Sequence, residues 1–133
     1  MTVHVPLTNN TYGMISMKQM KEMKKNAILI NCSRGEIVAE KDLYEALSKH
    51  MIGGAGLDVF AQEPVRLNNP LLKLKNVVVT PHSAAQTQEA VIKMAMMCVK
   101  GCMAILDGKK WPYVADKTVY DNPQWEGKDW AEI

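Results

Sequence analysis

Three stretches of the chain are unbroken apolar runs that stop abruptly at polar residues or glycine: "AILINCS" at Ala27–Ser33, "GAGLDVF" at Gly54–Phe60 and "NVVVTPH" at Asn76–His82. Short continuous runs bounded by turn residues mark strands buried on both faces, as in a parallel sheet. The predicted strands are Thr2–Val5, Ala27–Asn31, Gly54–Val59 and Val77–Thr80. Between the second and third lies "AEKDLYEALSKH", Ala39–His50. There Leu43, Ala46 and Leu47 share one helical face and Glu40, Lys41, Glu45 and Lys49 occupy the other, the pattern of an amphipathic helix. Upstream, Ser16 stands three residues before Gln19 in a capping-box pattern, and Met14, Met17, Met20 and Met23 recur among lysines. This predicts a short helix from about Ser16 to Lys24 with its thioethers filling the core. After Pro81, the spacing of Val91, Met94, Ala95, Cys98, Cys102 and Ile105 predicts a long amphipathic helix over Ala84–Leu106, closed by Asp107-Gly108, with both cysteines packed.

Strands alternating with helices imply an α/β fold built on a parallel sheet with right-handed crossovers. Composition leaves that picture intact and narrows the function. The 133 residues are 47% apolar and 23% charged with a net charge of +2, which fits one globular domain and suggests neither nucleic-acid nor membrane binding. Cys32, Cys98 and Cys102 show no zinc-type spacing and no signal peptide precedes them, so a reduced, cytoplasmic setting is expected. His4, His50 and His82 stand in no metal-binding pattern, and no metal is expected.

In parallel α/β sheets, ligands collect at the carboxyl ends of the strands. Those ends read His4-Val5-Pro6-Leu7-Thr8, Cys32-Ser33-Arg34-Gly35, Asp58-Val59-Phe60 with Glu63-Pro64 beyond, and Pro81-His82-Ser83. A guanidinium, carboxylates and an imidazole therefore fall on one edge of one sheet. "HVPLT", "INCSRG", "GAGLDVFAQEP" and "NVVVTPHSA", in this order and at these separations, resemble the second half of the nucleotide-binding domain of the D-isomer-specific 2-hydroxyacid dehydrogenases. The resemblance covers roughly residues 2–112. It implies a partial Rossmann-like sheet of about four strands with flanking helices and a long C-terminal helix.

The resemblance also implies roles. Arg34 would bind the substrate, a small 2-hydroxy or 2-oxo acid, and its fork of donors suits a carboxylate better than a lysine would. His82 would be the acid/base group and Glu63 its carboxylate partner, favouring the imidazolium. Val5, Pro6, Thr11, Cys32, Ser33, Arg34, Asp58, His82 and Ser83 would line the cofactor. That cofactor is NAD, with NADP as the alternative, and Asp58 would accept from the nicotinamide carboxamide. A serine hydrolase built on Ser33, His82 and Asp58 is disfavoured, because Ser33 is not in a G-x-S-x-G turn.

The departures from the family pattern are equally specific. No G-x-G-x-x-G stands between a strand and a helix, and "GGAG" at Gly53–Gly56 runs straight into a strand. The acidic residue that would hold the adenine ribose and the substrate domain are also missing. Residues 1–108 are expected to form the second half of a nucleotide-binding domain, and residues 109–133, with Trp111, Trp125 and Trp130, an extended arm that docks elsewhere. Two functional readings follow. One is a segment of an NAD(P)-dependent oxidoreductase; the other is a catalytically incomplete module that forms a homo-oligomer or docks on the missing half.

Overall fold

The computed structural model describes residues 1–125. Four parallel strands, β1 (Thr2–Val3), β2 (Ile28–Asn31), β3 (Gly54–Leu57) and β4 (Val77–Val79), lie side by side in chain order. Their register aligns Thr2 with Ile30, Ile30 with Gly56 and Gly56 with Val78, so the carboxyl ends finish on one edge. Helices α1 (Met17–Lys21) and α2 (Glu40–Ser48) supply the crossovers around β2, and α3 (Gln88–Leu106) follows β4. Single 3-10 turns occur at Gly35–Ile37, Pro70–Lys73, Lys117–Asp121 and Pro123–Trp125. The α/β parallel architecture is thus as predicted, and each strand is shorter than its predicted span. Beyond each strand the polar end turns away to make loop contacts.

The chain divides into two compact units, Met1–Ala84 and Ala85–Ile133. In the first, the capping box holds α1: the Ser16 N–H donates to Gln19 Oε1 at 3.0 Å. Met20 is fully buried and Met17 and Met23 pack against the core, as the methionine stripe predicts, whereas Met14, the first of the stripe, is 41% exposed. Leu43, Ala46 and Leu47 of α2 join Leu29, Ala55 and Leu57 of the sheet in the same cluster. Burial of these side chains contributes about 1.5–3 kcal/mol for each of the larger ones.

The expectation that the strands are buried on both faces is overturned. Leu29 and Asn31 face the core, whereas Ile28 and Ile30 are 54% and 41% exposed and Val78 is 71% exposed. The core holding α1 and α2 takes up one side of the sheet only. An apolar run shows that both sides of a strand tolerate burial, but it carries no information on how many layers cover them.

In the second unit, α3 begins later than predicted. Thr87 caps it by accepting from the Ala90 N–H at 3.1 Å, while the Ser83 and Ala84 amides are committed elsewhere, as described below. Cys98 and Cys102 are exposed rather than packed, and Ala104 is the buried residue of the helix. Val91, Ile92, Met94, Met96, Met97, Val99 and Met103 are also exposed, so apolar side chains surround α3 instead of forming one stripe. Trp111 lies against Gly101, where an added Cβ would come within 3.2 Å of the indole nitrogen. Its ring meets Tyr113 edge-on, with centroids 5.4 Å apart. Trp130 lies outside the described residues. Among the described residues no helix is long and apolar enough to cross a membrane.

Candidate active site at the sheet edge

The loop after β1 is organised by Thr11, whose hydroxyl donates to the Pro6 carbonyl at 2.7 Å and accepts from the Thr8 N–H at 2.7 Å. Val5 and Pro6 are exposed and Thr11 half-buried. The Ser33 hydroxyl donates to the Val5 carbonyl, so the loops after β1 and β2 are tied together. The turn after β2 is shaped from below by Asn31, which is 1% exposed. Its Oδ1 accepts from the Ser33 N–H at 3.1 Å and its Nδ2 donates to the Arg34 carbonyl at 2.9 Å. A buried asparagine bonding on both sides fixes the turn that presents Cys32, Ser33 and Arg34. Sequence reasoning treated Asn31 only as a strand end, though a lone amide at the close of a buried run was the available signal.

Replacing Asn31 with alanine would leave two backbone groups with no partner beneath the turn. It is expected to lower the unfolding free energy in urea by about 2–3 kcal/mol. A midpoint shift with an unchanged slope would show that the loss is one of native stability.

The Arg34 side chain is exposed, and its Nη1 donates to the Ser33 carbonyl at 2.7 Å. Among the described residues the ion pairs are Lys49–Glu45 and His82–Glu63; Arg34 acts on Glu63 through space. What brings the two segments close is Gly35. A Cβ built there would lie 1.9 Å from the Phe60 carbonyl carbon and 2.2 Å from the Ala61 nitrogen. The β2 and β3 ends therefore touch backbone to backbone, one residue beyond Arg34.

Asp58 ends β3 and is 3% exposed. Its carboxylate accepts from the Thr80 hydroxyl, the Ser83 N–H at 2.8 Å and the Ala84 N–H at 2.8 Å. Burial is the largest single influence on its pKa and pushes it up. The hydrogen bonds from Thr80, Ser83 and Ala84, with the His82 charge, outweigh burial and hold the carboxyl below the usual range. About four lone-pair positions exist on a carboxylate, and three donors of this chain already fill most of them. Asp58 thus clamps the turn that carries His82. His82 itself has φ +52°, the left-handed region that side-chain-bearing residues seldom enter. Its N–H donates to the Asp58 carbonyl at 2.9 Å, so side chain and backbone of one residue hold the turn. Thr80, which sequence reasoning did not single out, completes this clamp.

The His82 Nδ1 lies 2.7 Å from Glu63 Oε2, with the two side chains 46% and 38% exposed. An ionised carboxylate only accepts, so Nδ1 carries the proton, and Nε2 has no hydrogen-bond partner among the described residues. The other carboxylate oxygen of Glu63 accepts from the Phe60 N–H at 3.0 Å. The His82 hydrogen bond first, then that from Phe60, hold the Glu63 carboxyl below its ordinary range against opposing burial, and the His82 and Arg34 charges add to the effect. Asp58, Phe60, Glu63, Val65, Thr80 and His82 line a cleft of about 500 Å³. An apolar wall of Phe60, Pro64 and Val65 beside an imidazole and carboxylates suits a flat ring with a polar substituent, and the groups present fit a nicotinamide. No cluster of metal-ligating groups exists among the described residues.

Residues 1–84 match the family model described as "D-isomer specific 2-hydroxyacid dehydrogenase, NAD binding domain". The chain is 47% identical over 118 residues to the glyoxylate reductase of Korarchaeum cryptofilum, covering 89% of this chain and 36% of that protein. Among solved structures it is similar to the D-lactate dehydrogenase of Lactobacillus jensenii with NAD+ (TM-score 0.78, 38% identity, 87% of this chain and 39% of that one). It is also similar to a D-isomer specific 2-hydroxyacid dehydrogenase from Xanthobacter autotrophicus in complex with NADPH and MES (TM-score 0.74, 33% identity, 86% and 47%). The chain spans about a third or less of the length of the curated relatives it matches. With its parallel sheet, its strand-end loops and this match, the chain belongs to the D-isomer-specific 2-hydroxyacid dehydrogenase family, within the NAD-binding domain.

Proposed function

We propose that the sheet edge is the acid/base half of a dehydrogenase site that interconverts a small D-2-hydroxy acid and its 2-oxo acid. The observation that carries this reading is the 2.7 Å Glu63–His82 pair lining a cleft beside buried Asp58 at the carboxyl ends of parallel strands. Arg34 binds the acid's carboxylate through its guanidinium fork. His82 gives a proton from Nε2 to the carbonyl oxygen in the reducing direction and takes it back in the other, while Glu63 orients the ring and stabilises the charge it gains. When bound, the cofactor supplies or receives the hydride. Val5, Pro6, Thr11, Cys32, Ser33, Arg34, Asp58, His82 and Ser83 hold it. NAD is the cofactor, and the relative crystallised with NADPH keeps NADP as the alternative. In this reading residues 1–108 are the second half of the nucleotide-binding domain and residues 109–133 an arm.

Amide NMR spectra of the chain recorded with rising NADH, then with glyoxylate, test the proposal. Shifts concentrated at Val5, Ser33, Asp58, His82 and Ser83 are expected. Spectra unchanged at millimolar NADH would overturn cofactor binding by this chain.

The exposed Ile28, Ile30 and Val78 on one side of the sheet favour a second reading, a catalytically incomplete module that self-associates or docks on a companion chain. Gel filtration over a concentration series distinguishes it, since a monomer throughout would remove self-association.

A further inference from the structure

We propose that Glu40 is a positioning residue for the Glu63–His82 pair, fastening the segment that carries Glu63 to the start of α2. The proposal rests on the reading of that pair as the acid/base couple. Glu40 is the first residue of α2, and its two carboxylate oxygens reach opposite ends of one loop. Oε1 accepts from the Ala61 N–H at 2.6 Å, and Oε2 from Asn69 Nδ2 at 3.2 Å. One side chain therefore closes the segment 61–69, which contains Glu63.

Both anchor points lead to rigid parts. Ala61 follows Phe60, whose N–H binds Glu63 Oε1 at 3.0 Å and whose carbonyl group lies against Gly35. Asn69 Oδ1 accepts from the Leu71 N–H at 3.0 Å, and Leu71 is 1% exposed in the core. The path runs from α2 through Glu40 to Ala61 and Phe60, then to Glu63 and the His82 ring, with a hydrogen bond or a peptide link at each step. A flexible Glu63 would hold the imidazole in many orientations. A fixed one holds Nε2 in place, which is what positioning contributes to a proton transfer.

Glu40 also sits where an acidic side chain favours a helix N-terminus, and that role alone would be structural. The two roles separate in Glu40→Gln and Glu40→Ala. Glutamine loses the charge but keeps an amide oxygen for the Ala61 N–H; alanine loses both. The readout is the carboxyl carbon resonance of Glu63, followed through an acid titration of the full chain, alongside thermal unfolding.

In Glu40→Ala the Glu63 midpoint should rise toward that of an ordinary glutamate, and the Phe60 and Ala61 amide signals should move. In Glu40→Gln, whose amide oxygen keeps the Ala61 bond but whose NH2 group cannot accept from Asn69 Nδ2, the thermal midpoint should fall and the Glu63 midpoint should rise by less than in Glu40→Ala. A folded Glu40→Ala with an unshifted Glu63 overturns the proposal. If that variant does not fold, Asn69→Ala decides, because it frees one end of the loop: a Glu63 midpoint equal to the parent's rejects the idea and a raised one supports it. Failure of the acid/base reading looks different. It would leave these titration changes in place while NADH and glyoxylate leave the spectra untouched.

Discussion

Gly35→Ala is expected to cost at least about 3 kcal/mol of folding free energy, the upper end of what overpacking does. The new methyl would sit 1.9 Å from the Phe60 carbonyl carbon and 2.2 Å from both the Phe60 oxygen and the Ala61 nitrogen. All three are backbone atoms in a segment held by Glu40 and Glu63, so no side chain can rotate away. Either the turn after β2 or the Phe60–Glu63 segment must move by more than an ångström, and both carry site residues. Gly35 does not lie in the left-handed region, so the effect comes from contact alone. Gly13 gives the control: its φ is +60° but nothing lies within 4 Å of an added Cβ. Gly13→Ala should therefore cost only the conformational penalty, about 1–2 kcal/mol. Urea unfolding of both variants checks the ranking. Equal losses at the two positions would show that the β2 and β3 ends do not meet as described.

That contrast bears on what was legible in the residues alone. Apolar runs ending in polar groups located three of the four strands, because the strands of a parallel sheet are largely apolar while their ends meet solvent and ligand. The same logic listed the groups at the sheet edge, and the structure brings Asp58, Glu63 and His82 into one cleft and ties Ser33 to Val5. What could not be read are the contacts that depend on approach across long separations. Gly35 matters because Phe60 lies against it, Glu40 because Ala61 and Asn69 reach it, and Thr80 because Asp58 faces it. The local patterns put Gly35 in a strand-end turn, Glu40 on a polar helix face and Thr80 at the end of a strand, and none of them names the distant partner. The exposed faces of Ile28, Ile30 and Val78 escaped for a different reason: hydrophobicity reports the tolerance of a position for burial, and covering it requires a layer that the strand itself does not encode. Cys98 and Cys102 failed on the same ground: their spacing put them on one apolar face, but exposed apolar residues surround α3 and both cysteines are exposed.

The second large effect concerns acid and Asp58. Asp58→Ala removes the acceptor of the Thr80 hydroxyl and of the Ser83 and Ala84 amides at a residue only 3% exposed. Leaving such donors unsatisfied is expected to cost about 3 kcal/mol or more at neutral pH. It also removes the side-chain part of the clamp on the His82 turn, leaving the bond from the His82 N–H to the Asp58 carbonyl. The pH dependence gives the sharper test. The Asp58 carboxyl is held below its ordinary range in the folded chain: burial works against this, and the Thr80, Ser83 and Ala84 hydrogen bonds prevail. An unfolded aspartate titrates near about 3.9, so below that pH the unfolded chain binds the proton before the folded one does. The stabilising contribution is therefore fully present above the unfolded value and is lost as pH falls through the folded one. Glu63, also lowered, adds in the same direction, but it is 38% exposed and solvent screening reduces its share. Unfolding free energy measured from pH 6 to about pH 2 should fall steeply in the parent at the acid end. Asp58→Asn should flatten that slope, because an amide does not titrate, while starting from a lower plateau, since its nitrogen cannot accept from the Ala84 N–H. A variant with the parent's acid slope would mean that Asp58 does not hold the His82 turn through its charge.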